Sequence, residues 1–274
     1  MSDIYDPQAT EEEASSKSQY LTKKDVYLLF AVVLVLGILL SPVYFMGKRN
    51  SEKARCVLNF KSMFDAVNLY TKDHDDGLPP VYVVGENGQP ATNKKDEPYT
   101  WVSDVAGYMT TRANFRCPSA SEEEIVRVQS PTGGPPIEST YGMYMPYGGV
   151  KTFNVERSDT TILVAETSTE GSRGSYDPLK FKHDGVVIGW DDNNFQSTES
   201  SATITRLAFK DVANGDFSKA TGRHDSQDKK GSFSGVHALT ASGELILIRP
   251  GDSKITDRAD KLPGGFWNVP SLRR

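Results

Sequence analysis

The stretch Val26 to Met46, VYLLFAVVLVLGILLSPVYFM, decides how the rest of this chain is read. It carries no charge and is apolar all round, whereas a helix on a water-soluble protein shows one apolar face. As a helix it is about 32 Å long, enough to cross the hydrocarbon core of a bilayer. It is too long for the apolar region of a secretory signal, and Ser41-Pro42-Val43-Tyr44-Phe45 offers no small-residue cleavage pattern. The expectation is one uncleaved membrane span over residues 26–46. Lys17, Lys23 and Lys24 flank it on one side and Lys48, Arg49, Lys53 and Arg55 on the other, so the positive-inside count alone does not orient it.

On the N-terminal side of this run, residues 1–25 are polar, without a repeating apolar face, and read as a disordered tail. Their six acids and three bases account for −3 of the net charge of −5. The remainder is therefore nearly balanced and has no basic field, which argues against nucleic acid as a partner. Residues 47–274 are long enough for one domain with a sizeable core.

The helical pattern does not stop at the membrane boundary. Cys56, Phe60, Met63, Val67 and Tyr70 recur at spacings of 4, 3, 4 and 3, which places them on one stripe. Lys53, Asn59, Lys61, Asp65 and Lys72 lie between them as a wet face. No Gly or Pro interrupts Lys48 to Asp76, and Gly77 with Pro79-Pro80 ends the run. The spacing predicts one helix of about fifty residues, apolar all round in its first half and one-sided in its second. Pro42 inside it predicts a kink rather than a break.

Beyond Pro80 the segments are short. Val81–Val84 reads as a strand, Tyr99–Met109 as a short helix, and Phe115–Ser119 as extended because Pro118 keeps Cys117 out of helix. Residues 129–139 read as a loop. Thr160–Glu166, Val186–Trp190 and Gly243–Ile248 read as the better strands. The fold class is α+β: a long N-terminal helix packed by its second half on an antiparallel β-sheet.

These segments carry a resemblance. Ser41-Pro42-Val43-Tyr44-Phe45, the run SEKARCVLNFK from Ser51 to Lys61, Tyr70, Gly77-Leu78-Pro79-Pro80 and Cys117-Pro118-Ser119 resemble the pilin-like proteins of type IV pilus and type II secretion systems. They are closest to the group whose C-terminal domain carries His, nine residues, then Asp-Gly. The resemblance implies a pilin-like fold and a structural or assembly role. It implies a single-pass protein of the bacterial inner membrane, with its N-terminus cytoplasmic and its C-terminal domain periplasmic or extracytoplasmic. Its partners would be the bilayer and other pilin-like or secretion-system proteins. The domain organisation is then a cytoplasmic tail (1–25), a transmembrane helix (26–46), a helix continuing into the soluble domain (47–80) and a β-rich globular domain (81–274).

Two departures matter. In the family a prepilin peptidase cuts after a Gly, and the new N-terminus opens Phe-Thr-Leu-x-Glu. Family spacing from Pro42 places that start at Leu21, with Thr22 matching the Thr and Asp25 in the place of the Glu. Tyr20 stands where the Gly belongs, and Lys23 and Lys24 interrupt the apolar segment, so the expectation is no processing. In the C-terminal motif, Arg223-His224-Asp225 matches the start, but Ser242-Gly243-Glu244 replaces Asp-Gly-His and lies seventeen residues on.

Candidate sites are sparse. Cys56 and Cys117 read as a structural disulfide or as two free thiols. Without a C-x-x-C spacing or a nearby His they do not read as metal ligands. A bridge would close about 60 residues and stabilise by about 4 kcal/mol. His74, His183, His224 and His237 are the only histidines and are expected in loops, with no catalytic motif around them. Asp191, Asp192, Asn193 and Asn194 are the better of two oxygen-rich clusters for calcium, the other being Asp73, Asp75 and Asp76; Asx-rich turns have the same composition. Tyr141, Met143, Tyr144, Met145 and Tyr147 read as core packing or a partner surface. No cofactor and no catalytic residue is expected. The competing class is a membrane-tethered extracytoplasmic binding or enzymatic domain that borrows a pilin-type helix.

Overall fold

A computed structural model describes residues 23–83, 91–144, 147–155, 158–169, 171–175, 181–182, 196–197, 207–210, 221–224 and 235–249. Leu21, Thr22, Met145, His183, the expected strand Val186–Trp190 and the oxygen-rich run Asp191–Asn194 lie outside the described residues. The chain divides into two compact units, Met1–Lys48 and Arg49–Arg274.

Helix α1 spans Lys23–Asp73, 51 residues without interruption, with Pro42 inside it and Asp25 in its first turn. It starts upstream of the expected span, so Lys23, Lys24 and Asp25 are helical. In the first unit its large apolar side chains are exposed on all sides, from Val26 and Tyr27 to Phe45 and Met46. It is long and apolar enough to cross a membrane.

In the second unit, α1 buries Cys56, Phe60, Met63, Val67 and Tyr70, the stripe that the spacing predicts, together with Asn59, Ala66 and Thr71. Asn59 differs from the wet face expected of it. Its Nδ2 donates to the Arg116 carbonyl at 2.9 Å and lies 3.4 Å from the Tyr141 hydroxyl, so a partner offsets its burial. The helix stops on Asp75 and Asp76, which take left-handed backbone angles (φ 51° and 61°). Asp is one of the few residues besides Gly that tolerates this region. The Asp76 N–H donates back to the Thr71 carbonyl at 2.8 Å, which ties these acids into the helix terminus.

The strands are β1 (Val126–Val128), β2 (Ile137–Ser139), β3 (Tyr141–Met143), β4 (Ile162–Glu166), β5 (Phe181–Lys182), β6 (Gln196–Ser197), β7 (Phe209–Lys210), β8 (Thr221–Gly222), β9 (Val236–Thr240) and β10 (Leu245–Ile248). The main sheet has the order β10-β9-β4-β3, every pair antiparallel; β1-β2, β5-β6 and β7-β8 form separate two-stranded ladders. β4 is buried along its whole length, so it lacks the alternation of a half-exposed strand. A register shift between Ile162 and Val164 places two steps of β4 against one of β9, a bulge at Leu163. On the β3 side, the Leu163 carbonyl accepts from the Tyr144 N–H at 2.8 Å.

Several boundaries differ from expectation. Of the expected strand Val81–Val84, Tyr82 makes a single bridge to Thr100, and Val84 lies outside the described residues. Tyr99–Met109 divides into α2 (Trp101–Val105) and a 3-10 turn (Ala106–Tyr108). The expected loop 129–139 ends in β2. Strand β9 has no counterpart in the sequence reading: its Val-His-Ala-Leu-Thr has a weak β composition, and burial between β4 and β10 overrides it.

The β9–β10 hairpin turns at Gly243, with φ at 90°. A Cβ there would lie 2.6 Å from the Phe64 ring on α1. Both constraints demand glycine. Gly243→Ala is expected to destabilise the domain by about 2 kcal/mol, read from the denaturant midpoint. An unchanged midpoint would remove the close approach of this turn to the helix.

Candidate functional site

One buried cluster gathers side chains from α1, the segment after the Arg112–Phe115 turn, and the ends of β4, β8 and β9. Cys56 lies on the buried stripe of α1. Cys117 follows Phe115 and is held by its N–H, which donates to Thr140 Oγ1 at 2.9 Å. The two cysteines are joined by a disulfide, with Cα atoms 5.4 Å apart across a sequence separation of 61. Both are fully buried. Of the two readings left open by the sequence, the disulfide is the one present.

Glu166 ends β4 and is also fully buried. Its Oε1 lies 2.6 Å from His224 Nε2, and its Oε2 accepts from the His237 backbone N–H at 2.9 Å. A carboxylate only accepts, so His224 Nε2 carries the hydrogen of that short contact. The same Nε2 lies 3.6 Å from Cys117 Sγ. The rings of His224 and His237 are 4.5 Å apart, and His237 Nδ1 lies 3.9 Å from Glu166 Oε2. Arg223, buried beside His224, donates to the carbonyls of Thr140 and Thr167 at 3.3 and 3.1 Å and pairs with Glu124 at 3.4 Å.

The electrostatics follow from this placement. Burial pushes the Glu166 carboxyl up, but the His224 hydrogen bond and the charges of His224, Arg223 and His237 outweigh it and hold the group below the usual carboxylate range. Burial holds His237 below the ordinary imidazole value, against the opposing pull of Glu166. Burial and then the Glu166 charge raise the Tyr141 phenol. Glu166 is thus a carboxylate at neutral pH, in a pocket closed to solvent.

This arrangement corrects two expectations. A histidine does stand beside the cysteines, and His237 lies on β9 rather than in a loop, whereas His224 sits in the turn after β8 as expected but is buried. His74, by contrast, stacks on Tyr70 at the end of α1, with centroids 3.9 Å apart. Tyr141, Met143, Tyr144 and Tyr147 are all buried, which assigns them to the core. No local spacing could have joined Cys117 to His224 across 107 residues. One signal was available: Glu166 ends the otherwise apolar run Ile-Leu-Val-Ala, and an acid in a buried strand requires a cationic or donor partner.

The cluster is separate from the open surface. A cleft of about 430 Å³, lined by Lys95, Glu97, Glu122, Arg127, Glu138 and Arg173 among others, includes none of its residues. Ion pairs involving its lining acids, Arg116 with Glu122 and Glu138 and Arg173 with Asp96, join half-buried arginines to acids that are half-buried or exposed, and solvent screens them. Such pairs are worth little.

No protein family, characterised protein or solved structure matches this chain.

Proposed function

We propose that this chain is a membrane-anchored, pilin-like protein with a structural or assembly role in a secretion or pilus-like system of the bacterial inner membrane. It acts without catalysis and stays in the membrane as a single-pass protein, its tail cytoplasmic and its C-terminal domain outside the cytoplasm. The observation that carries the reading is α1. One helix of 51 residues exposes apolar side chains on every side over Val26–Met46, then buries a single stripe from Cys56 to Tyr70. The first pattern suits lipid and helix–helix association within it; the second suits a helix used as the spine of a β-rich domain. Lys23 and Lys24 at the start of α1, with Tyr20 before the family cleavage position, favour a retained anchor over a released subunit.

The test is the mass of the protein extracted from membranes with detergent, together with its resistance to alkaline carbonate. The intact N-terminus and full retention in the membrane pellet are expected. A mature chain starting at Leu21 would overturn the retained-anchor reading, and release by carbonate would overturn the span itself. The second reading, a tethered binding or enzymatic domain, is favoured by one observation: the buried group of Glu166, His224 and His237, whose carboxylate and imidazoles are richer in chemistry than a scaffold requires.

A further inference from the structure

We propose that Cys56, Cys117, Glu166 and His224 form a redox-gated site for a zinc-class divalent cation, closed while the disulfide is intact and opened when a dithiol reduces it. Such a site is independent of the pilin-like reading. A structural disulfide by itself has no need of a buried acid and imidazole packed against it. Taking such a pair out of water costs several kcal/mol per ion, and apolar side chains of the same size would fill the space with less penalty. Yet one ligand atom from each of the four residues lies within 4.8 Å of the others, and all four residues are buried.

The donor set selects the cation. Two thiolates with an imidazole and a carboxylate suit a borderline-soft ion of tetrahedral preference, zinc above all, rather than calcium or magnesium. Zinc–sulfur and zinc–nitrogen bonds of about 2.3 and 2.0 Å give tetrahedral sulfur–nitrogen edges of about 3.5 Å. The distance from Cys117 Sγ to His224 Nε2 is already 3.6 Å. The Glu166–His224 contact of 2.6 Å is closed by a hydrogen, and it widens by less than about 1 Å when a cation takes that hydrogen's place.

The surroundings fit as well. Glu166 Oε2 is fixed by the His237 N–H and Cys117 by Thr140, so the ligands are oriented before any ion arrives. His224 Nδ1 is buried and has no hydrogen-bond partner among the described residues, leaving it to take the ring hydrogen when Nε2 turns to a metal. Two thiolates, one carboxylate and a dication sum to one negative charge, and the buried Arg223 guanidinium, itself paired with Glu124, acts on Glu166 from nearby. The gate is the sulfur chemistry: thiolates are strong ligands, disulfide sulfurs are not. The dithiol gives two electrons and two protons to the Cys56–Cys117 bond and leaves as its own disulfide. The two thiols then release their protons as the cation binds, while the His224 hydrogen moves from Nε2 to Nδ1.

The test uses the full chain in detergent, reduced with a phosphine that is then removed without oxygen, and titrated with cobalt(II) and with zinc(II). One cobalt per chain is expected, with thiolate-to-cobalt charge-transfer absorption that appears only after reduction. Zinc should protect both thiols from alkylation, and Glu166→Gln should weaken cobalt binding at least about tenfold. Equal alkylation of the reduced protein with and without zinc would overturn the site. Wild-type cobalt affinity in Glu166→Gln would overturn the four-ligand assignment. If reduction unfolds the chain, recovery of its circular dichroism on adding zinc supports the proposal, and failure to recover overturns it.

Discussion

Glu166→Ala is expected to lower the unfolding free energy by about 3–5 kcal/mol, among the largest effects available to a single substitution here. The change removes the acceptor for the buried His224 Nε2 and for the half-buried His237 backbone N–H. It also removes the carboxylate that faces the buried Arg223 guanidinium. What is lost is less the strength of an ion pair than the compensation of groups that cannot reach water. Glu166→Gln should cost clearly less, because its carbonyl still accepts from one of the two donors. The double variant Glu166→Met/His224→Leu should recover part of the loss, since it removes both polar partners and packs the space. Urea denaturation of the three variants checks this. Equal losses for Ala and Gln would mean that the site tolerates an uncompensated donor, and the account of Glu166 would fail.

Replacing both cysteines with alanine is expected to cost about 4 kcal/mol in the protein as it folds under oxidising conditions. The bridge ties α1 to the segment after Phe115 across a separation of 61 residues, and without it the unfolded chain regains that loop's freedom. Because both sulfurs are completely buried, the double variant also leaves a small cavity beside His224. The control is reduction. A reductant with a chelator should shift the wild-type denaturation midpoint toward that of the variant and leave the variant itself unmoved. A variant as sensitive to reductant as the wild type would show that the bridge is not the source of the stability.

How much of this was legible depends on where each signal is stored. The stripe Cys56, Phe60, Met63, Val67 and Tyr70 is local information: five residues at helical spacing already state which side of α1 is buried. Glycine and proline likewise announced the end of the helix, although Asp75 and Asp76 make the turn themselves. β4 was legible for a similar reason, its run of β-branched and apolar residues being long enough to leave little choice. β9 was not, because His237 and Ala238 carry no strand preference and only the flanking strands hold them extended.

The candidate site divides along the same line. That one helix begins apolar on all sides and ends one-sided, with Cys56, paired or free, on its buried stripe, is readable from the residues alone. Those properties reside in residue type and in spacings of three or four, which the helix converts directly into faces. The bridge between the cysteines, the burial of Asn59 as a donor, and the meeting of Glu166, Arg223, His224 and His237 beside the bridge emerge only in the folded chain. Their positions come from three strand ends and a helix, and the contact of Cys117 with His224 alone spans 107 residues, so no local period records it. The physical reason is the desolvation of charge: once Glu166 is buried by the sheet, its stability depends on whichever donors the fold brings to it.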